Sequence, residues 1–203
     1  ELTVNTFVST GLANIPNQVD NGIFTINPED TCTCDFCFDL EEGWNMVSIP
    51  KTIDTLQQSN IANDLFDLAN DEVCLYYNAS PDCPDMDRWE QNPEIVPCQG
   101  YFVFKNDPYQ VCAHFLVEGT GSPPTQEIFV GWNLIGHVDI VPRPVEQFLF
   151  ATGLDDVRQL WHRSVDGSWE GYPWDGLTEV TQAHGYWAYS NSDDEMAGTL
   201  YCP

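Results

Sequence analysis

Short runs of alternating apolar and polar residues, broken by Gly, Pro and Asn, dominate the chain and predict strands rather than helices. Trp44 to Ile49 sets Trp, Met and Ser against Asn, Val and Ile. Gly100 to Phe104 is aromatic and β-branched with the same period of two. Phe115-Leu116-Val117 and Thr199-Leu200-Tyr201 read as closing strands, and Leu2 to Ser9 and Gly22 to Ile26 as strands near the start. Helical spacing occurs in two places. Ser59 to Leu68 puts Ile61, Leu65 and Leu68 on one side with Ser59 available as N-cap. Pro144 to Ala151 does the same with Val145, Phe148 and Leu149, led by a Pro in the first turn.

The pattern recurs. Gly43-Trp44-Asn45-Met46-Val47-Ser48-Ile49-Pro50 returns as Gly131-Trp132-Asn133-Leu134-Ile135-Gly136-His137. In the same order, Leu75-Tyr76 matches Leu160-Trp161, Trp89-Glu90 matches Trp169-Glu170, Gly100-Tyr101-Phe102 matches Gly185-Tyr186-Trp187, and Gly119-Thr120 matches Gly198-Thr199. Self-similarity of this kind predicts two diverged copies of one module. The expected fold is mainly β: an N-terminal strand extension over 1–39, a first β module over 40–120, a Gly/Ser/Pro linker over 121–127 and a second module over 128–203, with one short helix in each module. Matched positions of Trp44 with Trp132, and of Trp89 with Trp169, suggest core or inter-module packing roles.

Charge narrows the range of functions. Asp and Glu number 32 against 6 Lys and Arg, a formal net charge of −26. Binding nucleic acid requires cations to replace condensed counterions, so that role is excluded. Anionic headgroups are repelled as well. Cations, basic partners and glycans remain as ligands, and no apolar run approaches the roughly 18 residues of a membrane span. A hydrophobic share of 42% is ample for a core.

Eight cysteines, Cys32, Cys34, Cys37, Cys74, Cys83, Cys98, Cys112 and Cys202, point to a disulfide framework and an oxidising, extracellular setting. The start at Glu1 suits a chain whose signal peptide has been removed. Cys32, Cys34 and Cys37 form C-x-C-x-x-C, with no second pair to complete a zinc site. Cys74, Cys83, Cys98 and Cys112 fall in one module and predict two bridges among themselves. Cys32, Cys34, Cys37 and Cys202 are then left for closure or for links between neighbouring subunits. Asn78-Ala79-Ser80 is a glycosylation sequon on a loop.

The Gly-Trp-Asn-(Leu/Met)-(Ile/Val)-Ser-(Ile/Leu)-Pro opening, followed by a Trp-bearing turn, Gly-Tyr-(Phe/Trp)-(Val/Ala) and a strand into Gly-Thr, resembles a β module of exported archaeal and bacterial surface proteins. Two such modules in a short, acidic, Cys-rich chain are similar to the subunit of a proteinaceous sheath around methanogenic archaea. The resemblance implies an extracellular location and a surface-layer or adhesive role, and it supplies no catalytic residues. The second module departs from it at Gly136-His137.

Candidate chemistry is sparse. His114, His137, His162 and His184 lack partners at metal spacing and read as half-buried strand residues. Glu90 and Glu170 would be the acid pair of a glycosidase, but equivalent turns give equivalent environments, and such a pair needs two different ones. Asp82, Asp85 and Asp87 alternate on a tight loop and offer oxygen ligands for Ca²⁺, without the glycine and distal Glu of a full calcium loop. No cofactor other than Ca²⁺ is implied. The first expectation is a self-assembling, non-enzymatic subunit of a sheath, surface layer or fibre, a homopolymer joined by strand edges and disulfides. The alternative is a surface carbohydrate-binding or adhesin module, which requires exposed Trp. A secreted hydrolase ranks third.

Overall fold

A computed structural model describes residues 35–84, 87–116, 123–164 and 166–198. All lie in one compact unit, Cys32–Pro203. Its elements run β1 (Asp35–Leu40), β2 (Gly43–Ser48), α1 (Ala62–Leu65), β3 (Val73–Tyr77), β4 (Trp89–Gln91), β5 (Gly100–Lys105) and β6 (Tyr109–His114). They continue with β7 (Thr125–Ile128), β8 (Gly131–Gly136), β9 (Arg143–Pro144), α2 (Val145–Thr152), β10 (Val157–Arg163), β11 (Trp169–Tyr172), β12 (Glu179–Val180), β13 (Gly185–Ser190) and β14 (Asp194–Ala197). The protein is mainly β, as expected. Strands expected at Leu2–Ser9, Gly22–Ile26 and Thr199–Tyr201 lie outside the described residues.

Two four-stranded antiparallel sheets have the same strand order: β2-β5-β3-β4 and β8-β13-β10-β11. Each has a two-stranded companion, β1-β6 and β7-β14. Register agrees as well, with Gly43 opposite Lys105 and Ser48 opposite Gly100 in one sheet, and Gly131 opposite Ser190 and Gly136 opposite Gly185 in the other. Two expected boundaries shift. β1 is the counterpart of β7 and starts at Asp35, inside the supposed extension, while β7 begins at Thr125 inside the supposed linker. The match of Leu75-Tyr76 with Leu160-Trp161 also moves by one residue. Cys74 and Leu160 face the core, so Leu75 corresponds to Trp161 and Tyr77 to Arg163.

The recurring motif is explained locally. Gly43 and Gly131 sit at φ +98° and +103°, a left-handed turn that favours glycine. Asn45 closes that turn by donating to the Glu41 carbonyl at 2.8 Å and accepting the Glu41 N–H at 2.9 Å. Asn133 does the same with Phe129 at 2.7 and 2.9 Å. The hydroxyls of Tyr101 and Tyr186, both fully buried, accept the N–H of Val96 and Thr181. The Trp of the motif has no part in this turn.

Helix α2 forms as expected, with Val145, Phe148 and Leu149 buried and Gly153 ending it in the left-handed conformation. The first helix is cut to four residues, Ala62–Leu65. Ser59 does not cap it; its hydroxyl accepts the Ile61 N–H at 3.2 Å, and Ile61 occupies the N-cap. The chain leaves the helix because Lys105 Nζ takes the carbonyls of Phe66 and Asp67 at 3.2 and 2.8 Å. The same ammonium pairs with Glu72 Oε2 at 2.6 Å in a buried setting.

Two cores form, one around Leu40, Ile49, Phe66 and Tyr101, the other around Ile128, Phe148, Leu160 and Tyr186. The halves meet through reciprocal contacts. Gly136 N–H donates to the Cys98 carbonyl at 2.7 Å, and Ser48 N–H to that of Ala183 at 2.8 Å. A Cβ on Gly100 would stand 2.5 Å from the Ile135 oxygen, and one on Gly185 2.7 Å from the Val47 oxygen. Contacts that exchange equivalent residues mark a local two-fold relation. This accounts for the departure at Gly136-His137. A Cβ at Gly136 would lie 2.5 Å from the Gln99 oxygen and 2.7 Å from Cβ of Ser48, so this position of the second copy admits no side chain.

Candidate functional site

The strongest feature of the surface is aromatic. On the outer faces of the two sheets Trp44 (38%), Trp132 (42%), Trp89 (47%) and Trp169 (45%) are partly exposed. Core or inter-module packing was expected for these four, with Trp44 and Trp132 largely buried; none joins either core, but Trp89 packs between the halves against Trp187. The second position of β2 and of β8 lies on the face opposite Val47 and Ile135, which fill the two cores, while Asn45 and Asn133 close the turns.

Ring contacts join the two sheets. Trp187 touches Tyr77 at 5.1 Å, Trp89 at 6.0 Å, Phe102 at 6.2 Å and Trp132 at 6.3 Å between centroids. Trp44 extends the array over Phe104 at 5.3 Å, and Trp132 extends it to Tyr189 at 5.2 Å. Two cavities open on this face. The larger, ≈ 610 Å³, is lined by Tyr77, Trp132, Gln159, Trp161, Trp169 and Trp187. The smaller, ≈ 360 Å³, is lined by Trp44, Leu75, Trp89, Phe102, Arg163 and Trp169. Trp169 lines both, so they form one groove. Under the register above, Trp132, Trp161, Trp187 and Tyr77 correspond to Trp44, Leu75, Phe102 and Arg163. The groove is thus two related half-sites, one almost wholly aromatic and one carrying a guanidinium.

Local packing sets the walls. Trp161 lies flat on Gly171, where a Cβ would come within 2.6 Å of the indole ring. Its Nε1–H donates to Gln159 Oε1 at 3.2 Å. Arg163 Nη1 donates to the Trp44 carbonyl at 3.2 Å, tying β10 to β2 across the halves.

Beneath the groove, His162 and His184 stack at 4.2 Å with their planes 6° apart. His162 Nδ1–H donates to the Gly185 carbonyl at 2.9 Å. Burial pushes His184 down to about 4, helped by the nearby His162 and His137. Burial also lowers His162 and His137. Among the described residues no three His, Cys, Asp or Glu side chains converge to hold a metal.

The other candidates scatter. One disulfide joins Cys37 to Cys112 across β1 and β6. The expected pair of bridges among Cys74, Cys83, Cys98 and Cys112 is therefore absent. Cys112 is taken, Cys74 is buried in the first core, Cys98 is buried in the second, and all three remaining residues are thiols. Burial raises Cys74 beyond the usual thiol range and Cys98 to about 12, so neither is a nucleophile. Cys32, Cys34, Cys202 and Asp85 lie outside the described residues. Asp82 and Asp87 are exposed on the loop around Cys83. Asn78 donates its amide N–H to Glu90 Oε1 at 3.0 Å. Glu90 and Glu170 stand at matching places on β4 and β11, opposite Tyr76 and His162, on strands rather than in turns.

Tyr77, Phe102, Gln159 and Arg163 were not singled out from the sequence. The signal was their alternation within strands, but nothing local says which face stays uncovered. No protein family, curated protein or solved structure matches the chain.

Proposed function

We propose that the chain is an exported surface module that binds a glycan in its aromatic groove. The observation that carries this is the continuous exposed array of Trp44, Trp89, Trp132 and Trp169 around Trp187. A pyranose ring presents apolar C–H faces that stack on indole while its hydroxyls stay in water, so a shallow aromatic groove suits it. The larger cavity is of a size usual for small-ligand sites, about 300–1,000 Å³. Stacking platforms for single-stranded nucleic acid share the aromatics but need a basic groove, and a chain of net charge −26 opposes that. The same charge disfavours burying this face against a second copy. The Cys37–Cys112 bridge supports an oxidising compartment. The reading includes no catalytic step.

The test is binding of neutral hexasaccharides of β-1,4-linked glucose, xylose and N-acetylglucosamine by calorimetry, with Trp161→Ala and Trp187→Ala as variants. Binding that both variants weaken at least tenfold is expected; no binding to any saccharide overturns the reading.

A second reading, the self-assembling sheath, layer or fibre subunit with bound cations, draws support from β4 and β11, which end their sheets with one pairing partner each. Assembly would then use these edges, with Cys32, Cys34 or Cys202 forming links between subunits. Negative-stain microscopy and non-reducing electrophoresis test it: a lattice or tube and a thiol-sensitive ladder are expected, and single particles with a clean monomer band overturn it.

A further inference from the structure

Six Lys and Arg stand among 32 acidic residues, so a cation without an acidic partner is conspicuous. Lys105 pairs with Glu72, Arg143 with Asp139 and Arg158 with Asp156. Lys51 and Arg88 also have partners. Among the described residues Arg163 has no carboxylate partner and is the one charged side chain lining either cavity of the groove. Its Nη1 is held by the Trp44 carbonyl, which orients the guanidinium. Nε and Nη2 have no acceptor among the described residues, and they form the edge that grips a carboxylate through two parallel hydrogen bonds. The turn from β10 to β11 passes close to this edge, and only a glycine fits there: a Cβ on Gly167 would stand 3.2 Å from Nη2.

Resting on the glycan reading above, we infer that the Arg163 half-site selects a uronate. The ligand is an otherwise neutral glycan whose apolar sugar faces lie on Trp132, Trp161 and Trp187, and whose single carboxylate reaches Arg163. One guanidinium in an aromatic surround acts in a lower dielectric than bulk water and strengthens that contact. A polyanionic glycan is excluded, because the rest of the chain repels it. Tyr77, the counterpart of Arg163, offers no charge, so the carboxylate has one place to go and the glycan one orientation.

The experiment compares each neutral hexasaccharide that binds with the same backbone carrying one terminal glucuronate, and with one carrying a single sulfate ester. Wild type is expected to bind the uronate about tenfold or more tightly than the neutral form, from one charge-assisted contact. The advantage shrinks as salt rises. Arg163→Gln brings the uronate-to-neutral ratio close to one, and Arg163→Lys leaves a small advantage because ammonium lacks the fork. Arg158→Gln changes net charge equally, lies outside the groove and retains the full ratio. Thermal melts confirm that each variant is folded. A wild-type ratio near one, with neutral binding intact, overturns uronate selection and leaves the glycan reading standing. A sulfate advantage exceeding the uronate advantage also overturns it, as does an Arg163→Gln ratio equal to that of wild type. Failure of every saccharide to bind removes both.

Discussion

Substituting Ala for Gly100 or Gly185 isolates the contact that joins the two halves. Neither glycine has a left-handed φ, so the added methyl acts by contact alone. It would come to 2.5 Å from the Ile135 oxygen, or 2.7 Å from that of Val47, well inside the 3.4 Å at which ordinary contact begins. The obstacle is backbone paired within β8 or β2, and it cannot rotate aside as a flexible side chain would. Overpacking against yielding neighbours costs about 1–3 kcal/mol, and a rigid obstacle places these variants at about 2 kcal/mol or more. For a domain stable by about 5–15 kcal/mol that is a large fraction. Urea unfolding measures the loss. Near-UV circular dichroism reports the second effect, because Trp187 meets Tyr77, Trp89 and Phe102 only across this joint. Glycan affinity falls with it. Gly176→Ala serves as control: φ is +85° with nothing within 4 Å, so it adds backbone strain of about 1–2 kcal/mol without touching the joint. If Gly100→Ala and Gly185→Ala both stay within about 0.5 kcal/mol of wild type, with an unchanged aromatic spectrum, the rigid joint does not exist.

Removing one partner of the buried ion pair, Lys105→Met, is expected to cost about 3–5 kcal/mol by leaving Glu72 uncompensated, and Glu72→Leu/Lys105→Met to recover most of it; equal urea midpoints for the single and double variants would contradict this. Glu72 shows the pair's strength: burial raises its carboxyl, yet hydrogen bonds from Lys105 and the Ala69 and Asn106 N–H groups bring it down to about 2. His184 is neutral in the fold and held at about 4, whereas the unfolded chain takes up the proton near 6.5. Its stabilising contribution is therefore complete above pH 6.5 and is lost as pH falls towards 4. The urea midpoint should decline across that window and flatten in His184→Gln. Cys37→Ser/Cys112→Ser is expected to cost about 2–4 kcal/mol. Full stability after reduction of the wild type would show that the bridge adds nothing.

Some of this protein is legible in its amino-acid order because the forces involved are local. A left-handed turn demands Gly43 and Gly131, and a side-chain amide two residues on closes it, so Gly-Trp-Asn marks a tight turn into a strand in both halves. Apolar spacing and terminal Pro and Gly mark α2 for the same reason. Net charge, a plain sum over the residues, opposes contact with a polyanion whatever the fold. The fate of Trp44 and Trp132 is different. Strand alternation divides residues between two faces but does not say which face another layer will cover; here Trp44 and Trp132 stay partly exposed, while Leu134 on the same face is buried beside Gly100 of the other half. Disulfide pairing depends on β1 lying beside β6, a register between positions 75 residues apart. Ser59 to Leu68 has helical spacing, yet a lysine from β5 takes the carbonyls that would have continued the helix. Arg163 enters the groove only because β10 of one half lies against β2 of the other, and no local pattern encodes which distant strands will meet.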